Sequence, residues 1–336
     1  MSQFWAVLIL LGLATVHNHV GRVVADFYHL GVCYEKNGNN LPDSKTAVEL
    51  CNKYGFKKIR LWRGDRDALE ALVNQNIAVT IGVKNEEIPS LVDRTFDGAD
   101  VWYRTNLKPY IGQVVFEYIV VGEDAITSPF SDELKDAISN IRRVLARAGQ
   151  ESIKVTTAVS TSVLGATFPP SNGVFKPELK AKMAEIVEAI RNFTVEPALM
   201  VNVFPYNYYA QGIIPQDFAT FSKHKAYIWD GKNGYWNMID ALLDAFYSAL
   251  AKEGVTNVKL VVGASGWPSA GNGEFTTPTL AAKYNQNFMR RIVRSQGTPA
   301  RPEQKIDGFV YNLFDDNEKQ LYYLFMNIPH NTLIRV

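Results

Sequence analysis

Short, almost continuously apolar runs alternate along this chain with longer stretches that carry apolar residues at helical spacing. The runs are HLGVCY (29–34), KKIRLW (57–62), IAVTIGV (77–83), EYIVVG (117–122), IKVTTAV (153–159), ALMVNVF (198–204), VKLVVG (258–263) and DGFVYNLF (307–314). They are rich in Val and Ile and lack the strict apolar–polar alternation of a half-exposed strand. That is the pattern of strands covered on both faces. Amphipathic helices are expected over 44–54, 131–148, 177–193, 237–252 and 279–294.

Alternation of this kind, with no linker, predicts an α/β fold: a single (β/α)8 TIM barrel spanning 26–336. An open doubly wound sheet is the competing arrangement. It usually places a glycine-rich phosphate turn after its first strand. Here that place holds Tyr34-Glu35-Lys36-Asn37. In a closed barrel, chemistry sits at the C-terminal ends of the strands. The residues to watch are therefore Tyr34, Trp62, Asn85, Glu123, Asp124, Asn202 to Tyr206, Ala264 to Trp267, and Asp315 to Lys319. The aromatics among them suit a sugar-stacking cleft as a group. Taken singly, each suits plain packing at the barrel mouth equally well.

The first 25 residues read differently. Phe4 to Val16 is an apolar run too short to span a bilayer, and Val23 and Ala25 stand at the −3 and −1 positions of a cleavage site. Residues 1–25 are expected to be a signal peptide, with an uncleaved anchor as the alternative. The rest of the chain would be secreted or delivered to a vacuole.

Charge and composition exclude more than they assign. Removing residues 1–25 takes Arg22 from the 35 basic side chains and leaves them balanced against 34 acidic ones. No basic stripe calls for nucleic acid, and no apolar tail or polybasic cluster calls for a membrane anchor. A monomer is expected. Cys33 and Cys51 read as buried free thiols rather than a bridge. Asn192-Phe193-Thr194 is an N-glycosylation sequon, with Asn192 the acceptor. The histidines show no ligand spacing, so no metal is expected. Ser265 lacks a nucleophile-elbow context, no phosphate loop appears, and nothing calls for a cofactor.

The strand ends carry a resemblance. GVCY and GNNLP (31–34, 38–42), IRLW (59–62), GVKN (82–85), VVGED (120–124), TFPPSNGVF (167–175), NVFPY (202–206), GYWNMIDALLDA (234–245), SGWPSAG (265–271), GTPARP (297–302) and FDDNEK (314–319) follow one another in order. Together they resemble the plant endo-β-1,3-glucanases, glycoside hydrolase family 17. The resemblance implies a (β/α)8 barrel that cuts β-1,3-glucan internally with retention of configuration. Retention needs two carboxyl groups about 5 Å apart, one a proton donor and the other a nucleophile.

At the positions the resemblance assigns to those two groups, this chain differs. The family acid ends a V-G-N-E motif; here the motif reads Val121-Gly122-Glu123-Asp124, which puts Asp124 at the acid position and Glu123 where an asparagine is usual. Aspartate is one methylene shorter than glutamate, which draws the carboxyl back by roughly 1.5 Å. The family nucleophile stands in S-E-S-G-W-P-S; here the motif reads Gly263-Ala264-Ser265-Gly266-Trp267-Pro268-Ser269, which leaves Ala264 at that position. A methyl group cannot form a glycosyl ester.

Further differences fall in the same place. Trp62 replaces a usual tyrosine, Phe204 replaces another, Glu35 replaces a glycine, and Asp316 replaces a glutamate, while Lys319 is kept. Substrate contacts are expected at Tyr34, Glu35, Trp62, Asn85, Asn202, Phe204, Tyr206 and Trp267. Catalytic work, if retained, would fall to Asp124, Glu123, Asp316 and Lys319. Three functions fit: non-catalytic binding of β-1,3-glucan or another carbohydrate, acid–base chemistry on a small plant metabolite, and a residual O-glycosyl hydrolase working by inversion.

Overall fold

The computed structural model describes residues 27–314, apart from positions 37, 40, 94 and 193. Eight parallel strands close into one barrel. They are β1 (Leu30–Tyr34), β2 (Lys58–Leu61), β3 (Ala78–Val83), β4 (Val115–Glu123), β5 (Lys154–Ser160), β6 (Ala198–Asn202), β7 (Lys259–Ser265) and β8 (Asp307–Val310). Each pairs with its sequence neighbours, and β1 pairs with β8 to complete the circle. All eight expected runs become strands. The signal segment, Asp316, Lys319 and everything after Phe314 lie outside the described residues.

One principal helix follows each of the first seven strands: α1 (Ser44–Lys53), α2 (Arg66–Leu72), α3 (Asp97–Asn106), α4 (Leu134–Arg147), α5 (Pro177–Arg191), α6 (Met238–Lys252) and α7 (Pro278–Val293), with two short helices, Pro205–Ala210 and Gln216–Ala219, between β6 and α6. α4 shows why they form. Leu134, Ala137, Ile138, Ile141, Val144 and Leu145 are buried at three- and four-residue spacing, so one stripe faces the strands. Side-chain caps set several starts: Asp43 accepts from Thr46 N–H, Asn237 from Asp240 N–H, and Thr277 from Leu280 N–H. α2 and α3 lay outside the expected helices. α2 has only seven residues, and α3 leaves Val101 57% exposed while burying Ala99, Trp102 and Tyr103, which blurs its stripe.

The core has two layers. One lies between strands and helices and includes Ile59, Leu61, Val79, Ile81, Val121, Val201 and Val262. The other fills the barrel and holds Cys33, Tyr118, Val120, Ala158, Ala198, Met200, Val261, Ala264 and Phe309. Cys33 and Cys51 are both buried and are not bridged to each other, as expected, and Cys33 Sγ donates to the Gly263 carbonyl.

The N-terminal end of the barrel is closed by charge. Lys58, 2% exposed, reaches Glu117 at 2.8 Å, and Lys259 reaches Asp307 at 2.7 Å. His29 also pairs with Asp307. Burial alone would push the Asp307 carboxyl up, but the His29 bond and the Lys58 and Lys259 ammoniums outweigh it. They hold it well below the usual carboxylate range.

Candidate functional site

The site is set by two irregularities at strand ends. Along β7, Val262 pairs with Val201 and Ala264 with Asn202, so Gly263 is an extra residue against β6. This bulge breaks the in–out alternation. Val261 points into the barrel and Val262 out, and Ala264 points in again instead of out. A similar shift between Val120 and Glu123 on β4 turns Glu123 inward. Gly122 (φ +76°) and Asp124 (φ +49°) both take left-handed backbone there.

Glu123 is the hub. Its backbone is clamped by Asn85, whose side chain donates to the Glu123 carbonyl at 2.9 Å and accepts from its N–H at 2.8 Å. Its carboxylate pairs with Arg60 through Oε1 and accepts from Asn202 Nδ2 at 2.9 Å through Oε2. Arg60 in turn donates to Asn202 Oδ1 at 3.1 Å, closing a ring of three side chains from β2, β4 and β6. The guanidinium carbon lies 4.3 Å from the centre of the Trp62 ring. Gly263 makes room for it: a Cβ there would lie 2.7 Å from Arg60 Nη1 and 2.9 Å from Asn202 Oδ1.

Asp124 turns to the neighbouring strand. Its carboxylate accepts from Ser160 N–H, and its own N–H donates to the Ala158 carbonyl at 2.9 Å. Burial pushes the carboxyls of both Glu123 and Asp124 up, against the pull of Arg60 and Asn202 on Glu123 and of Ser160, then Arg60, on Asp124. Two adjacent carboxyls therefore hold protons more tightly than surface acids do.

Ala264 is fully buried beside Asn202, among the apolar interior residues. Trp62, Phe204 and Tyr311 are partly buried against that same interior. Tyr311 meets Trp62 and Phe204 edge-on, at 5.8 and 6.0 Å between ring centres, and donates to Glu35 Oε2 at 2.7 Å. These residues come together at the C-terminal end of the barrel.

Other expected contacts lie beneath that surface. Tyr34 is 3%, Tyr206 1% and Trp267 5% exposed. Tyr34 packs edge-on against Phe314, and Tyr206 packs against Trp267 at 5.4 Å. Asn272 donates to the Tyr206 hydroxyl at 2.9 Å, and Trp267 Nε1 donates to the Phe275 carbonyl at 2.9 Å. Their polar ends are used inside the protein, so they support the mouth rather than line it. Asn85 likewise spends its amide on the Glu123 peptide. Asn192 is exposed at the end of α5.

Sequence reasoning passed over Arg60, Tyr311 and Ser160. A lone arginine inside an apolar strand run was the available signal for Arg60, because a charge that deep needs a partner. Nothing in the sequence marked Tyr311 or the Ser160 N–H.

A closed parallel barrel with carboxyls, a buried arginine and aromatic rings gathered at its strand ends carries its polar cluster where (β/α)8 enzymes keep their active sites. Residues 30–322 match the family model for Glycosyl hydrolases family 17, and the chain belongs to that family. It is 34% identical over 293 residues to a probable glucan endo-1,3-beta-glucosidase of Arabidopsis thaliana, covering 86% of this chain and 84% of that protein. It is 36% identical over 292 residues to Lichenase-2 of Hordeum vulgare, covering 86% and 91%. Among solved structures it superposes on a plant beta-glucan endohydrolase with TM-score 0.81 at 35% identity, covering 86% and 92%. It also superposes on CJP38, a beta-1,3-glucanase and allergen of Cryptomeria japonica pollen, with TM-score 0.82 at 33% identity, covering 87% and 92%.

Among the described residues, no helix is long and apolar enough to cross a membrane, and no group of three His, Cys, Asp or Glu is placed to hold a metal ion.

Proposed function

We propose that this protein binds β-1,3-glucan or a related cell-wall carbohydrate and does not hydrolyse it by the retaining route. One observation carries the reading. The inward-facing residue at the end of β7 is Ala264, fully buried among apolar side chains. No group there can form a glycosyl ester. The acid position, Asp124, has the short side chain and is engaged by Ser160 N–H. The ligand class follows from the family, whose relatives are named as glucan endo-1,3-beta-glucosidases and a lichenase. Trp62, Phe204 and Tyr311 supply ring faces and edges for it. The protein acts after secretion, in the cell wall or vacuole, in defence or wall sensing.

Calorimetry with laminari-oligosaccharides and a reducing-sugar assay on laminarin test this together. The expected result is saturable binding and no release of reducing ends by the wild type. Release by the wild type, or no binding at millimolar ligand, overturns it. The Ala264→Glu variant provides the comparison, because activity gained only by that variant supports the assignment of position 264.

A second reading rests on the raised carboxyls. Under it, Glu123 and Asp124 exchange protons with a small metabolite, a chemistry that needs no nucleophile. An unchanged metabolite profile in plants carrying Glu123→Gln with Asp124→Asn counts against it.

A further inference from the structure

The connection between β6 and α6 contains a two-stranded antiparallel ribbon, Ile228–Asp230 against Asn233–Tyr235. Ile228 and Tyr235 face inward and are buried, with Tyr235 donating to Asp244 at 2.9 Å. The other face carries Trp229, Gly234 and, one residue beyond the strand, Trp236. The two indoles are 65% and 45% exposed. Gly234 is buried beside them: a Cβ built on it would sit 3.0 Å from Ala226 Cβ, 3.2 Å from Trp236 Cη2 and 3.3 Å from Trp229 Cη2. Two exposed indoles thus converge over one bare stretch of backbone.

We propose that this face is a second carbohydrate-binding surface, on which Trp229 and Trp236 stack the sugar rings of a β-1,3-glucan chain outside the barrel mouth. The ligand class rests on the reading given above; the site does not. The ribbon belongs to the same β6–α6 connection that begins with Phe204 at the mouth, and a long chain held at one place has material left for the other.

The platform is also held in place before any ligand arrives. Asp230 accepts from Ser171 N–H at 2.7 Å and from its hydroxyl at 2.8 Å, which ties the ribbon to the β5–α5 connection. Rings fixed in advance lose little freedom on binding.

The other occupants fit less well. The two indoles expose roughly 300 Å² between them, against about 800 Å² per partner in a stable protein interface. Exposed Tyr28, Val101, Val115 and Val195 belong to other parts of the chain and do not extend the patch. Exposed Lys225 and Lys232 and half-buried Asn233 neighbour the two indoles along the chain, and polar groups beside aromatic faces suit a hydroxyl-rich ligand.

Affinity electrophoresis in gels containing laminarin tests the site. The probes are the wild type, Trp229→Ala with Trp236→Ala, Gly234→Val, and the mouth variant Trp62→Ala. The double variant is expected to weaken retardation about tenfold or more. Gly234→Val keeps both indoles but drives a branched side chain against them, and is expected to do the same. Trp62→Ala removes a mouth contact and is expected to weaken retardation by itself, and adding the two tryptophan changes to it is expected to weaken retardation further.

Wild-type retardation by the double variant overturns the proposal and leaves the mouth reading standing. A wild type that laminarin does not retard overturns it as well. So does a combined variant retarded no less than Trp62→Ala alone. If the tryptophan changes instead abolish binding to phospholipid vesicles or self-association, with laminarin retention intact, the surface serves another partner and the proposal fails.

Discussion

The guanidinium of Arg60 and the carboxylate of Glu123 meet inside the barrel, joined on both sides by Asn202. Arg60 is 1% exposed and the Glu123 side chain 26%. A charge that deep is stable only while its partner is present. Replacing Arg60 with Met is therefore expected to cost about 3 kcal/mol, read from urea midpoints. Adding Glu123→Gln to Arg60→Met is expected to recover part of the loss, because the stranded carboxylate is then removed. A double variant no more stable than the single would show that the pair contributes little.

Asn85 is expected to act on the site only through the Glu123 peptide. Asn85→Ala removes two hydrogen bonds to one partly buried peptide, with an expected cost of about 1–3 kcal/mol. Ligand affinity should fall in the same variant, since the β4 end loses its clamp. Calorimetry at a temperature where the variant remains folded separates the two effects.

Gly263 is expected to tolerate nothing larger. In Gly263→Ala the new methyl meets the Arg60 guanidinium and the Asn202 amide. Overpacking of this kind costs about 1–3 kcal/mol. The strain falls on the ring that holds Glu123, so the pH dependence of ligand binding should shift along with stability. A thermal melt matching the wild type would contradict the close approach.

Asp307 governs acid stability. Its carboxyl is depressed in the folded protein, so the unfolded chain binds the extra proton first as pH falls. The resulting stabilisation is fully present above about pH 4, near the ordinary aspartate value, and is lost as pH falls toward the folded value. Asp307→Asn should therefore lower stability at neutral pH and flatten its decline below pH 4. Urea midpoints from pH 3 to pH 7 check this. Parallel curves for variant and wild type would remove Asp307 as the cause.

The barrel was legible because every strand is covered on both faces, so each wrote a nearly unbroken apolar run. Its helices were legible only where one stripe was clean: α4 shows it, whereas Val101 on α3 points to solvent. The strand-end site was legible as a set of positions, and Glu123, Asn202, Trp62, Phe204 and Ala264 do gather there. The wiring among them was not. A two-residue repeat along β7 would turn Ala264 toward the helices, and only the pairing with β6 reveals the added residue that turns it back. Tyr206 and Trp267 looked like cleft rings from their positions in the chain, yet both lie beneath the surface because their polar ends are met from within.

The extra residue at Gly263 has a wider effect. Leu260 and Val262 grip the surrounding helices, and the residue after the bulge looks only into the barrel. The last inward station of β7 is thereby uncoupled from the wall that keeps the barrel closed. The side chain at that station can therefore change without disturbing the contacts that fasten the helices to the strand.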